Sequence, residues 1–309
     1  MDARMKVIIV GLPLFAKRLQ EGLSKFDPTN KYTHLDTYYK KVDKLKAALQ
    51  IPRADCIFSI NGSIVSSGVF DLAFKKNIPV IMNWVGTDVL KAIDACKNGS
   101  HQQHYIDNAI HFCEVHWIQE ELKEIGVHAQ VVNFAAFDKT YELKEAVCER
   151  LHVLSYIPEI RSNFYGIETL IRMAQKFPEV DFSIAGTSAQ KYQPLPANLQ
   201  ALGWVDDMNA LYTKVHACIR YTEHDGLSSF ILESMARGKK VLYNNPFNFC
   251  SHCPNEEAMA AEIISLSSTL AEGKSLINQE AATFIKDQFN EGVIFGGLIA
   301  KINDVVRKA

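Results

Sequence analysis

The chain has 309 residues, 48% hydrophobic and 22% charged, with a formal net charge of −2. Its length suits two domains of ordinary size, each with its own core, and its composition suits a soluble globular protein. The charge excludes a strongly basic nucleic-acid-binding domain, no apolar run approaches the roughly 20 residues of a membrane span, and residues 1–10 lead into a strand without a signal-peptide layout, so a cytoplasmic protein is expected.

In chain order, Lys6–Val10 is a short β-branched run of the kind that forms a buried parallel strand. A helical pattern follows through Leu14, Phe15, Leu19 and Leu23. Further strand-like runs are Cys56–Ile60, Pro79–Met82, Val115–Ile118 and Val131–Phe134, separated by helical patterns such as Ser67–Lys76 and Glu120–Ile125. This alternation predicts a doubly wound sheet in a first domain, residues 1–143. The charged, strand-poor segment Asp138–Glu149 reads as a linker. The alternation then restarts: strands at His152–Tyr156, Asp181–Ala185, Ala217–Tyr221 and Lys240–Tyr243, helices at Gly166–Phe177 and Met208–Lys214, in a second domain spanning 144–289. Helices at Ala258–Leu270 and Ile294–Arg307 carry apolar residues at three- and four-residue spacing.

Residues 38–46 hold four lysines and two tyrosines; such a face suits either solvent or an anionic lipid surface. The seven cysteines are odd in number and follow no disulfide-framework spacing, which fits a reducing compartment. Cys250 and Cys253 form an isolated Cys-x-x-Cys: a zinc site would want a second ligand pair, a redox site a helix start, and an ordinary loop wants neither. His101, His104, His111 and His116 cluster in sequence without a metal-ligand interval, and no metal site is expected.

The richest stretch is 225–238, where Asp225 and Gly226 precede a helical pattern that carries Glu233. A helix start offers unpaired N–H groups and the positive end of a dipole, which suits a diphosphate. A carboxylate inside that helix can accept hydrogen bonds from vicinal hydroxyls such as those of a ribose. Residues of these types in this order describe a seat for a nucleotide-sugar.

The stretch resembles the Glu-x7-Glu signature of retaining glycosyltransferases of the two-Rossmann GT-B architecture, in the family 4-like group. Asp225 stands at the first Glu, Glu233 at the second, and Met235, Ala236 and Gly238 match the turn that follows. The resemblance implies two Rossmann-like parallel-sheet domains facing a central cleft, an N-terminal acceptor domain joined by a C-terminal helix at 290–309, and a C-terminal donor domain. It implies that Asp225 holds donor-sugar hydroxyls, Glu233 the ribose, and the backbone at Gly226, Leu227 and Ser228 the diphosphate. Pro178–Gly186 looks like the family's strand-to-glycine turn at Gly186, and Leu202–Val205 like the loop in which Trp204 and Val205 border the nucleobase. Gly11 and the Trp84–Val89 loop, with Gly86, Thr87 and Asp88, would lie on the acceptor side.

Two departures matter. The family's Arg and Lys after the first strand of the second domain are replaced by Ser155–Tyr156 and by Tyr165. A departing diphosphate still needs positive charge, and Arg161 and Arg220 are the substitutes, unless each makes a structural ion pair. The expected activity is transfer of a hexose-type sugar from a nucleoside diphosphate to a hydroxyl of a glycan, lipid-linked or small-molecule acceptor, with no cofactor. A sugar-nucleotide epimerase or a degenerate, carbohydrate-binding scaffold are the alternatives.

Overall fold

The computed structural model describes residues 4–137 and 140–309. Residues 1–3, ahead of the first strand, and Asp138–Lys139 of the expected linker lie outside the described residues. Contacts divide the chain into two units: residues 1–136 with 225–227 and 290–309, and residues 137–224 with 228–289.

In the first unit the apolar runs become six parallel strands: β1 (Lys6–Gly11), β2 (Lys31–His34), β3 (Cys56–Ile60), β4 (Val80–Trp84), β5 (Ile110–Cys113) and β6 (Ala129–Val131), in the order β2-β1-β3-β4-β5-β6. Every residue of β3 and β4 is buried, which is why these segments are mostly apolar on both faces, with Ser59 and Asn83 the exceptions, rather than alternating. The connections are α1 (Pro13–Phe26), α2 (Lys41–Gln50), α3 (Gly68–Lys75), α4 (Thr87–Lys97), α5 (Gln103–Asn108) and α6 (His116–Glu124). One core lies between the sheet and α2, α3 and α5, built from Ile8, Val10, Ile57, Phe70, Met82 and Tyr105.

The second unit repeats the plan with β7 (His152–Tyr156), α7 (Ile167–Lys176), β8 (Asp181–Ala185), β9 (Leu199–Ala201), α8 (Met208–Tyr212), β10 (Ala217–Arg220), α9 (Ser229–Ala236), β11 (Lys240–Tyr243), β12 (Ser251–His252), α10 (Glu256–Ala271) and α11 (Gln279–Gln288). Its sheet runs β12-β11-β10-β7-β8-β9, again all parallel. A core of Val153, Leu170, Phe182, Ile219, Met259 and Ile263 unites α7 and α10 with one sheet face. The last helix, α12 (Glu291–Lys308), belongs to the first unit, where the Phe295 ring lies so close to Gly22 of α1 that a Cβ there would fall 2.0 Å from it.

The structure corrects the sequence reading in two places. Val115–Ile118 is not a strand: β5 ends at Cys113, and His116 opens α6, whose Ile118 and Leu122 are buried one turn apart. The strand expected at Val131–Phe134 ends at Val131 instead, having begun at Ala129.

Candidate functional site

In an open parallel sheet, ligands sit outside the carboxyl ends of the strands, where the strand order reverses. In the second unit that point lies between β7 and β10, which pair directly. β7 ends at Tyr156 and β10 at Arg220, and Arg220 is only 7% exposed. Its Nη1 donates to the Tyr156 carbonyl at 3.4 Å, and its guanidinium sits 4.9 Å from the Tyr165 ring centroid. The guanidinium thus lies over the ring of the tyrosine that stands where the resemblance expects a lysine. Arg161, in the same β7–α7 loop, is exposed, has φ +65°, and stacks 3.9 Å over Phe164.

The loops at this edge are held tightly. Gly166, with φ +78°, opens α7 so close to β10 that a Cβ would lie 2.2 Å from the Tyr221 carbonyl oxygen. Asn244 clamps the exit of β10, donating to the Thr222 carbonyl at 2.7 Å and accepting from the Thr222 N–H at 3.2 Å. Glu159 accepts from the Thr187 hydroxyl at 2.6 Å and the Ser188 N–H at 3.0 Å, and these bonds, the hydroxyl's first, hold it below the usual carboxylate range. Gly186 donates to the Gly203 carbonyl at 2.7 Å, which fixes the following Trp204–Val205. Trp204 is 77% exposed, its indole N–H on Asp206, while Val205 packs on the cluster around Leu154, Tyr212 and Phe230.

Ser228 is the N-cap of α9 and its side chain makes no capping bond, so the first-turn amides are not closed by it. Glu233 lies in the second turn, its side chain 38% exposed and 3.9 Å from Arg237 Nη1. Arg237 is buried between the rings of Tyr141 (3.8 Å) and Tyr212 (4.3 Å), donating to the Glu233 carbonyl at 2.9 Å and to Asn209 Oδ1 at 2.6 Å. Sequence reasoning matched the residues around it and passed over Arg237 itself; two tyrosines, one of them beyond the expected linker's start, were its only signal.

Within the first unit, Asp225, Gly226 and Leu227 group with the Val85–Asp88 turn and with α6. Trp117 Nε1 donates to the Asp225 carbonyl at 2.8 Å, and a Cβ on Gly226 would fall 2.2 Å from the Val85 carbonyl oxygen. Gly86, with φ +141°, is the N-cap of α4, and Thr87 is that helix's first residue. Asp88 is 3% exposed and accepts from the N–H groups of Gly62 (2.7 Å), Gly86 (2.8 Å) and Val85 (3.2 Å). Its carboxylate therefore organises the turn. The reversal of strand order here lies between β1 and β3, where Gly11, at φ +107°, leaves no room for a Cβ beside the Ile60 carbonyl. Beside it opens a cavity of about 400 Å³ whose lining includes Gly11, Thr37, Ser59, Asn61, Asp88 and Lys91.

One acid escaped the sequence reading. Glu114, directly after β5, is 5% exposed, and its Oε1 has no hydrogen-bond partner. Burial, with the charges of Asp88 and Asp225, pushes its carboxyl up to about 8, against the backbone amide of Phe134. Burial thus favours its protonated form. The four histidines scatter: His104 lies in α5, His111 in β5 and His116 at the start of α6. His111 is pushed down to about 4 by burial and accepts from Trp84 Nε1 at 3.1 Å. Among the described residues no group of three or more His, Cys, Asp or Glu is placed to hold a metal. Cys250 and Cys253 are free thiols, raised to about 12 and about 11 by burial.

No protein-family model matches the sequence, and no curated protein matches it. Solved structures do. TarM of S. aureus, in complex with fondaparinux, α-GlcNAc-glycerol and UDP, superposes with a TM-score of 0.61 at 12% identity, over 84% of this chain and 59% of that one. The chain thus spans about three-fifths of TarM's length. Sucrose-phosphate synthase from Thermosynechococcus elongatus gives 0.67 at 11% identity over 98% and 100%. UDP-GlcNAc 2-epimerase from Neisseria meningitidis, bound to UDP-GlcNAc, gives 0.50 at 13% over 97% and 100%. At identities this low the superpositions show the fold alone: with two six-stranded parallel sheets flanked by helices, the chain has the two-Rossmann-domain architecture called GT-B.

Proposed function

We propose that the protein is a retaining glycosyltransferase that moves a hexose-type sugar from a nucleoside diphosphate to a hydroxyl acceptor. The observation that carries this reading is α9: its first turn, which the Ser228 side chain does not cap, follows β10 at the sheet's reversal point, with Glu233 half-exposed one turn further on and Arg220 at the end of the strand. In this reading Glu233 takes the ribose hydroxyls, Trp204 and Val205 border the base, and the α9 amides with Arg220 take the diphosphate. Arg161, stacked on Phe164, is the weaker cation. Asp225 holds donor-sugar hydroxyls, with its backbone fixed by Trp117. The acceptor takes the cavity beside Gly11, whose hydroxyl and amide lining suits a polyhydroxylated group.

The acceptor hydroxyl oxygen forms a bond to the anomeric carbon as the bond from that carbon to the diphosphate oxygen breaks. The leaving phosphate takes the hydroxyl proton on the same face, which conserves configuration. Positive charge and oriented amides at the leaving group lower the barrier because negative charge grows there. A sugar-nucleotide epimerase is the second reading: the epimerase matches over 97% and 100% of the two chains, as sucrose-phosphate synthase does over 98% and 100% with the higher TM-score. Incubation with UDP-, GDP- and ADP-sugars, with and without a panel of glycan and lipid acceptors, separates the two by product mass. Transfer requires an acceptor-linked product; a changed sugar nucleotide without acceptor marks the epimerase, and no consumption of any donor overturns both.

A further inference from the structure

Helix α2 turns an apolar stripe outward. Val42, Leu45 and Leu49, at spacings of three and four, are 65%, 64% and 60% exposed, and Tyr38 and Tyr39 just ahead of the helix are 49% and 81% exposed. Only Ala47 of this helix is fully buried, so it meets the core along a narrow line. At 100° per residue, Leu45, Leu49 and Val42 span about 60° of the surface. Lys41 and Lys44 lie along one side of that stripe and Lys46 along the other. Over residues 38–50 there are four lysines, with Lys40, against the single Asp43, whose carboxylate Lys46 meets at 3.1 Å. A helix that shows water three large aliphatic groups rimmed by long cations is built as an interfacial helix is: the aliphatic face enters the acyl boundary while lysines reach the headgroups. The two exposed tyrosines just ahead of the helix present apolar rings with a polar tip, as interfacial belts do.

A second observation points the same way. A cavity of about 370 Å³ between α2 and α3, lined by Ala47, Ala48, Ile51, Val69 and Leu72 with Lys44, shares Thr37, Ser67 and Val69 with the polar cavity beside Gly11. The two cavities thus adjoin, and the first reaches α2 along its Lys44, Ala47 and Ala48 face, beside the exposed stripe.

We infer that α2, with Tyr38 and Tyr39, docks the first unit on the surface of an anionic lipid bilayer. Charge selects this occupant: an apolar stripe framed by a net excess of lysines is complementary to acidic headgroups, whereas a second copy would set like charges against each other. The binding is independent of any transfer reaction, so its test uses no turnover. The chain would be sedimented with vesicles of phosphatidylcholine alone and with phosphatidylglycerol added, at low and high salt. It is expected to pellet only with the anionic vesicles and to be released by salt. Replacing Leu45 and Leu49 by Ser is expected to abolish pelleting, and each of Lys40→Gln, Lys41→Gln and Lys44→Gln to lower the partition coefficient about fivefold. Circular dichroism confirms that each variant is folded. Absence of pelleting with anionic vesicles, equal pelleting of the serine variant, or a concentration-dependent dimer of wild type that the serine variant loses would each overturn the inference.

Discussion

Replacing Arg237 by Met tests whether the scaffold under Glu233 is built as described. The wild-type guanidinium is buried between two tyrosine rings and donates two short hydrogen bonds, one to the Glu233 carbonyl and one to Asn209 in α8. Methionine keeps much of the volume and some sulfur–aromatic contact, but both bonds and the cation–π attraction are lost. Charged hydrogen bonds contribute about 1.5–3 kcal/mol each, and a desolvated cation over a ring about 1–2 kcal/mol. Allowing for water reaching Asn209, which is exposed, the net loss is about 3 kcal/mol. At about 2–4 °C per kcal/mol for a domain of this size, the melting temperature falls by about 6–12 °C. Arg237→Lys is expected to recover only part of this, because an ammonium cannot stack and fork at once. Thermal unfolding followed by circular dichroism reads the result. A shift of Arg237→Met below about 2 °C would show that the tyrosine sandwich contributes little and would refute the reasoning.

Glu114 carries a pH signature. Its folded carboxyl is raised to about 8 while an unfolded glutamate titrates near 4.5, so its contribution is fully present below that lower value and is lost as pH climbs to about 8. Glu114→Gln is therefore expected to flatten the fall in melting temperature over that window and to exceed wild type at pH 8; identical profiles would contradict the burial of this acid. Gly166→Ala forces a Cβ to 2.2 Å from the Tyr221 carbonyl at a positive φ, so a destabilisation of about 2–4 kcal/mol is expected in denaturant titration, and an unchanged midpoint would contradict the close approach of α7 to β10.

Much of the fold was legible because buried parallel strands write themselves as short, mostly apolar runs. Cys56–Ile60, His152–Tyr156, Asp181–Ala185 and Lys240–Tyr243 are strands over the very spans their composition indicates. Val115–Ile118 misled because a short apolar run does not reveal its period, and the burial of Leu122 one turn on decides for a helix. β2 was passed over: only four residues long, it carries one fully buried side chain, Tyr32. In the site, spacing could identify Glu233 and the turn before it, since both belong to one continuous segment. Spacing could not identify Arg237's tyrosine partners, drawn from residues 141 and 212, or the company of Glu114, whose neighbours Asp88 and Asp225 are remote in sequence. Nor could it show that the Asp88 carboxylate is engaged by four backbone amides, those of Gly62, Val85, Gly86 and Val89.

Isothermal titration of wild type and Glu233→Ala with UDP, GDP and ADP tests the nucleotide seat at α9 most directly. A carboxylate bound to a ribose diol makes charged hydrogen bonds, and losing them is expected to weaken the preferred nucleotide about 10- to 100-fold while leaving the melting temperature nearly unchanged. Binding of none of the three, or equal affinity in the alanine variant, would contradict the assignment.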